Sequence, residues 1–77
     1  MQYTLALDSS DNVYVVDNRN HRVQKFDSNG KFITTWGTEG EGDGQFIEPQ
    51  GIQVDPSSNN VYVVDKQRGI VEMFKPS

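Results

Sequence analysis

One histidine, His21, stands in the polar run Asn18-Arg19-Asn20-His21-Arg22. An imidazole there can donate a proton, accept one or contact a ligand; the plainer reading is a ring hydrogen-bonded inside its own turn. Serine catalysis needs a histidine held between a hydroxyl and a carboxylate, and no spacing in the chain groups the three. The acidic run Glu39-Gly40-Glu41-Gly42-Asp43-Gly44 has the oxygens a calcium ion wants. Its spacing matches no EF-hand, which takes ligands at alternate positions and closes with a glutamate, so it reads as a solvated glycine-rich loop. Four aspartates, Asp8, Asp17, Asp55 and Asp65, offer carboxylates for acid–base work. They fall at matching places in two halves of the chain, whereas a unique active site should break such a match; turn capping is the better account. No catalytic, cofactor-binding or metal-ligating residue is therefore assigned, and no cofactor is expected.

The match between the halves is a repeat. Asn12-Val13-Tyr14-Val15-Val16-Asp17 recurs as Asn60-Val61-Tyr62-Val63-Val64-Asp65, and Leu5-Ala6-Leu7-Asp8 corresponds to Ile52-Gln53-Val54-Asp55. Further on, Val23 matches Val71 and Phe26 matches Phe74, giving a period of 47 to 48 residues with Pro56 as the one insertion. A period of this size marks propellers and related arrays. Within each unit, short apolar runs alternate with Asp, Ser, Asn and Gly, the pattern of strands and turns. The first unit reads as four antiparallel strands: Leu5–Leu7, Val13–Val16, Arg22–Asp27 and Lys31–Trp36. Asn29-Gly30 marks a hairpin, because both residues tolerate positive φ. Gly37–Gln45 reads as a loop. The second unit has three strands, Gly51–Asp55, Asn60–Asp65 and Ile70–Phe74. No segment has helical periodicity. Seven strands in two units result, residues 1–50 and 51–77, the second without its outer strand. Valines on both alternating positions of Val13–Val16 indicate a strand covered on both faces.

Composition narrows the function classes. The chain has 77 residues, 11 acidic and 7 basic, for a net charge of −4. That opposes a phosphate backbone, where affinity comes from Lys and Arg releasing counterions, so nucleic acid is not an expected partner. No apolar run approaches the roughly 18 residues that span a bilayer, and no secretory leader is legible at Met1. Without cysteine, disulfides and thiolate metal sites are excluded, and the compartment is left unmarked.

Gly42-Asp43-Gly44-Gln45-Phe46, Pro49-Gln50-Gly51-Ile52, Val54-Asp55, the repeated Asn-Val-Tyr-Val-Val-Asp, Asn20-His21-Arg22-Val23-Gln24-Lys25-Phe26-Asp27 and Phe32 to Trp36-Gly37 together resemble the NHL-repeat family over nearly the whole chain. The resemblance implies an all-β fold, a β-propeller of four-stranded antiparallel blades around a channel. The chain departs from it in Lys66-Gln67-Arg68-Gly69-Ile70, which replaces Asn18 to Arg22, and in Met1-Gln2-Tyr3-Thr4, which replaces the Pro-x-Gly lead-in. Some related propellers are peptide-amidating lyases with a zinc-ligand histidine after that proline; here Gln50 stands in its place, and glutamine is a poor zinc ligand. Some members bind RNA on a strongly basic face. An antiparallel meander puts the turns after the second strands and the linker between units on one face. That face collects Asn18, Arg19, Asn20, His21, Gln50, Lys66, Gln67 and Arg68 along with Glu39, Glu41, Asp43 and Glu48, a mixture suited to a protein partner or a small polar ligand. Trp36 is expected to pack between blades.

Two blades cover only the face between them, and the outer faces would stay apolar and exposed. The expected state is therefore a homo-oligomeric ring, a trimer giving six blades, serving as an interaction scaffold. The rivals are a piece of a longer propeller, an enzyme with catalytic residues in other blades among them, an engineered pair of blades, or a partner that adds the outer strand. Lys75 and Pro76 would blunt that strand edge.

Overall fold

The computed structural model describes residues 4–75. Every strand expected from the alternating apolar runs is present, within about two residues of its expected limits. Strands β1 (Thr4–Leu7), β2 (Val13–Asp17), β3 (Arg22–Phe26) and β4 (Phe32–Trp36) form an antiparallel meander in that order. After a linker, β7 (Pro49–Val54), β8 (Val61–Asp65) and β9 (Ile70–Phe74) repeat its first three strands. The linker read as loop holds two short strands, β5 (Thr38–Glu39) and β6 (Gln45–Phe46), paired in parallel. Two residues are too few to show an alternation, so nothing in the composition marks them. The turn after β2 is a single 3-10 turn, Asn18–Asn20, closed by His21 in the left-handed region at φ 54°. The expected departure points at Met1–Tyr3 and Pro76 lie outside the described residues.

The two sheets stack, with β7 lying against β1 and β2. Register decides which side chains meet. Val16 pairs Val23, and Val23 pairs Trp36, so Tyr14, Val16, Val23 and Trp36 share the front face of the first sheet. Ile52 pairs Val63, and Val61 pairs Phe74, so these four share the back face of the second. The front of one packs on the back of the other, and Tyr14, Val16, Val23, Ile52, Val61 and Val63 form the core with Phe46 from the linker. Trp36 takes the expected place between the sheets, its ring 5.4 Å from Phe74 and edge-on to Tyr14 at 6.3 Å. Such aromatic contacts contribute about 0.5–1.5 kcal/mol each beyond the area they bury.

Each sheet buries only one of its two apolar faces. Val71 is 59% exposed, whereas its counterpart Val23 is 0% exposed; Leu5 is 59% exposed, whereas its counterpart Ile52 is 6% exposed. The uncovered valines and leucines are thus the repeat partners of covered ones.

The turns follow their residue types. Asp11 and Asn59, counterparts in the first turn of each sheet, both have positive φ, 63° and 61°, a conformation that Asp and Asn tolerate best after glycine. Asn59 also donates from Nδ2 to Ser9 Oγ at 2.8 Å and accepts from the Ser9 amide at 3.0 Å, tying the two turns across the sheet boundary. Gly37 is obligatory for a different reason. At φ +113° a Cβ there would lie 2.7 Å from His21 O and 2.8 Å from the Phe46 ring.

Candidate functional site

The opposite end of the stack carries a cleft of about 640 Å³ between the sheets, lined by Thr4, Val16, Asn18, Arg19, Glu48, Pro49 and Gln50. Its position follows from the strand ends. β2 leaves the first sheet through the 3-10 turn and delivers Asn18 and Arg19, while β7 enters the second sheet through Pro49 and Gln50. Asn18 Nδ2 donates to Pro49 O at 2.9 Å and closes one wall. Pairing runs from Pro49–Asp65 straight to Gly51–Val64, so Gln50 is the extra residue of a β-bulge. A bulge re-aims the side chain it inserts, and Gln50 is exposed at the cleft with Nε2 3.4 Å from Glu48 Oε2. Arg19 is exposed on the facing turn.

Asp65 holds this wall in place. It is wholly buried and accepts from the amides of Ile47 (2.8 Å), Glu48 (3.0 Å) and Arg68 (3.3 Å). Burial pushes its pKa up, but those amides and the Arg68 charge outweigh burial and leave it below the ordinary carboxylate value. The Lys66 amide completes the clamp by donating to Glu48 O at 2.9 Å. Asp17, the counterpart of Asp65, accepts from Asn20 Nδ2 at 2.8 Å and from Arg22 Nε at 3.1 Å; the Asn20 hydrogen bond, assisted by Arg22, lowers its pKa despite burial. Asp8 accepts the Ser10 and Asn12 amides and the Tyr14 hydroxyl. Burial raises its pKa, and the hydrogen bonds, that of Asn12 foremost, bring it below the ordinary value. Tyr14 shows the other side of that bond: burial, then the Asp8 carboxylate, pushes its phenol up to about 12. Asp55 accepts the Ser57 amide and the Ser58 hydroxyl. All four aspartates thus serve turns, and Asp65 also joins a turn to the linker.

The expected face residues divide. Asn18, Arg19 and Gln50 come together at the cleft. Lys66 and Gln67 are exposed on the turn after β8. Asn20 is engaged with Asp17. His21 has Nδ1 2.9 Å from Ile47 O and Nε2 3.9 Å from Glu39 Oε1, so its ring fastens the turn to the linker. Arg68 is turned inward. Its side chain is 17% exposed and donates to Gln45 O at 3.0 Å, Glu41 O at 2.7 Å and Glu72 Oε2 at 3.3 Å. That guanidinium ties the glycine-rich linker to β9. Thr4 and Val16, walls of the cleft, carried no sequence signal beyond strand propensity, and Pro49 only its place in the Pro49-Gln50-Gly51 motif; the bulge that frees Gln50 depends on register.

The polar side chains lining the cleft are one carboxylate, two amides, a hydroxyl and a guanidinium, with the imidazole of His21 occupied at Ile47 O. Zinc prefers imidazole or thiolate, and no arginine ligates it; this set does not fit the metal of the related lyases. Among the described residues, no three His, Cys, Asp or Glu side chains are gathered for a metal ion.

Comparison with known proteins places these elements. A profile of the 6-bladed beta-propeller family matches residues 3–73. The chain is similar to mouse peptidyl-glycine alpha-amidating monooxygenase, 38% identical over 60 residues, covering 73% of this chain and 6% of that protein. It is similar to Protein brain tumor of Drosophila melanogaster, 31% identical over 62 residues, covering 80% of this chain and 6% of that protein. A Xenopus laevis amidating monooxygenase is 32% identical over 68 residues, 82% of this chain and 7% of its own length. The chain therefore spans about 6% of the length of such relatives.

Proposed function

The chain belongs to the 6-bladed beta-propeller family, and from that membership we propose that it is a non-enzymatic interaction module whose two NHL-type blades complete a ring with further copies of themselves. One observation supports this reading above the rest: the exposed faces are repeat counterparts of the buried ones. Tyr14, Val16 and Val23 on the covered front correspond to Tyr62, Val64 and Val71 on the open front. Ile52, Val61, Val63 and Phe74 on the covered back correspond to Leu5, Val13, Val15 and Phe26 on the open back. The open front of one copy thus suits the open back of the next. A head-to-tail contact of this kind closes when the rotation allows, and three copies of two blades supply six. The cleft with Arg19, Glu48 and Gln50 would then recur around the ring as a polar rim of both charge signs, suited to a protein surface or a small polar ligand.

Light scattering over a concentration series tests this. A constant mass near three times 8.7 kDa is the expected result; a folded monomer throughout would overturn it. The similarity to the amidating monooxygenases favours a second reading, two blades within a longer enzyme propeller whose catalytic groups lie in other blades. In that case the isolated chain is unfolded or aggregated, and it folds when the neighbouring blades are supplied.

A further inference from the structure

The β3–β4 hairpin turns through Asp27, Ser28, Asn29, Gly30 and Lys31 and carries the chain's one Asn-Gly pair. That pair has chemistry of its own. A backbone nitrogen that reaches the side-chain carbonyl carbon of the preceding asparagine can displace ammonia from it, one reason asparagine is thermolabile. Glycine, with no Cβ, leaves that approach open. The structure sets Asn29 apart from the other asparagines. The side-chain amides of Asn12, Asn18, Asn20 and Asn59 donate at 3.0, 2.9, 2.8 and 2.8 Å, and none of the four precedes a glycine. Asn60 precedes Val61, whose branched Cβ crowds the nitrogen. Asn29 and Gly30 are both exposed. Among the described residues the Asn29 side chain enters no hydrogen bond; only its backbone amide is engaged. Gly30 sits at φ +83° with nothing within 4 Å of the position a Cβ would take, so a ring can close there without a clash.

Asp27 restrains the pair. Its Oδ1 accepts the amides of Asn29 and Lys31, each at 2.9 Å, and its carbonyl accepts the Gly30 amide at 2.9 Å. The nitrogen that would attack is thus held toward Asp27 O with its proton engaged. The turn has to open before the side chain of Asn29 can swing onto it.

We propose that Asn29 is a site of spontaneous deamidation, gated by the Asp27 turn. When the turn opens, the Gly30 nitrogen bonds to Asn29 Cγ, the Cγ–Nδ2 bond breaks, and ammonia leaves carrying the Gly30 proton. Water then opens the cyclic imide. Cleavage between the nitrogen and Cγ yields aspartate; cleavage between the nitrogen and the Asn29 backbone carbonyl carbon yields isoaspartate. The only co-reactant is water, and nothing is oxidised or reduced. Either product adds a negative charge. Isoaspartate also lengthens the main chain by one carbon between Asp27 and Lys31, where the Asp27 amide donates to Lys31 O at 2.8 Å. Beyond that bond lies β4, which carries Trp36 between the sheets, so the modification bears on the register that seats Trp36.

The test incubates the intact chain at neutral pH and body temperature and maps its proteolytic fragments by mass spectrometry over time. Beside it run the Asp27→Ala variant and a free peptide copied from residues 26–32. The expected result is an amide-to-acid mass change confined to Asn29 and split between aspartate and isoaspartate. Its rate in the folded chain should be at least about tenfold below that in the peptide, since reaction waits on a local opening. Asp27→Ala should move the folded rate toward that of the peptide, with circular dichroism reporting that the strands persist. Should that variant fail to fold, the parent chain held in guanidinium chloride supplies the open-turn rate in its place. No conversion at Asn29 while the peptide converts fully would overturn the site. Equal rates in the folded chain and the peptide would overturn the gate, and faster conversion at another asparagine would overturn the assignment to Asn29. Fragment masses read the residue in any oligomeric state, so the outcome is independent of ring closure.

Discussion

Asp65 joins two chain segments through one carboxylate, which satisfies three amides. Asp65→Ala should cost about 3 kcal/mol, since buried donors left unpaired each carry a penalty of roughly 1–3 kcal/mol, and chemical denaturation would read it as a lower midpoint at unchanged slope. The pH dependence has a definite sign. Asp65, Asp8 and Asp17 all have folded pKa values below the ordinary 3.8, so their contribution is fully present above that value and is lost as the pH falls through the lower folded ones. Stability measured from pH 6 downward should stay flat to about 4 and then fall, less steeply in the Asp65→Ala variant. Tyr14 sets the alkaline limit by the opposite sign. Its folded pKa is raised from 10.0 to about 12, so the stability it supplies is intact below 10.0 and disappears across that interval. Tyr14→Phe should flatten the alkaline loss while costing about 1 kcal/mol at neutral pH for the bond to Asp8.

At the level of elements, the strands were legible and their fastenings were not. Valine-rich alternation and the Asp-Ser-Asn and Asn-Gly turns place all seven principal strands, because those residues act on the local backbone. The parallel pair β5–β6, the bulge at Gln50 and the inward course of Arg68 depend on which segments lie side by side, and residue type in one segment does not encode that. Arg68 is the instructive case: its counterpart in the first unit is Asn20 of the turn after β2, a place that reads as a solvent-facing cation, yet three acceptors from the linker and β9 surround it. Arg68→Met should therefore release residues 38–46, seen as faster amide exchange there, with a stability loss of about 2 kcal/mol. Gly37 joins the same linker to β4. Gly37→Ala combines a left-handed backbone with contacts to His21 and Phe46 shorter than atoms tolerate, and a loss of at least about 2 kcal/mol should appear as a lower Tm.

For the whole molecule, the decisive quantity is the apolar surface left open at the two ends of the stack, Leu5 and Leu7 on one and Val64, Val71 and Met73 on the other. If the proposed ring forms, Val71→Asp on the open front or Leu5→Asp on the open back should abolish association while leaving the strand signal in circular dichroism, because neither side chain lies in the core of the single copy. Mixing the two variants should not restore a closed ring, since each copy still presents one spoiled face. The likeness between open and covered faces has a bearing on descent as well. When a gene of this kind is duplicated in tandem, the joined product meets itself through surfaces already selected, so a lengthening lineage crosses from several chains to one without inventing a contact. The two arrangements then differ in their exposure to mutation. In a ring of identical chains every substitution is inherited by all copies at once, whereas in a concatenated one each blade can drift alone and acquire a specialty of its own.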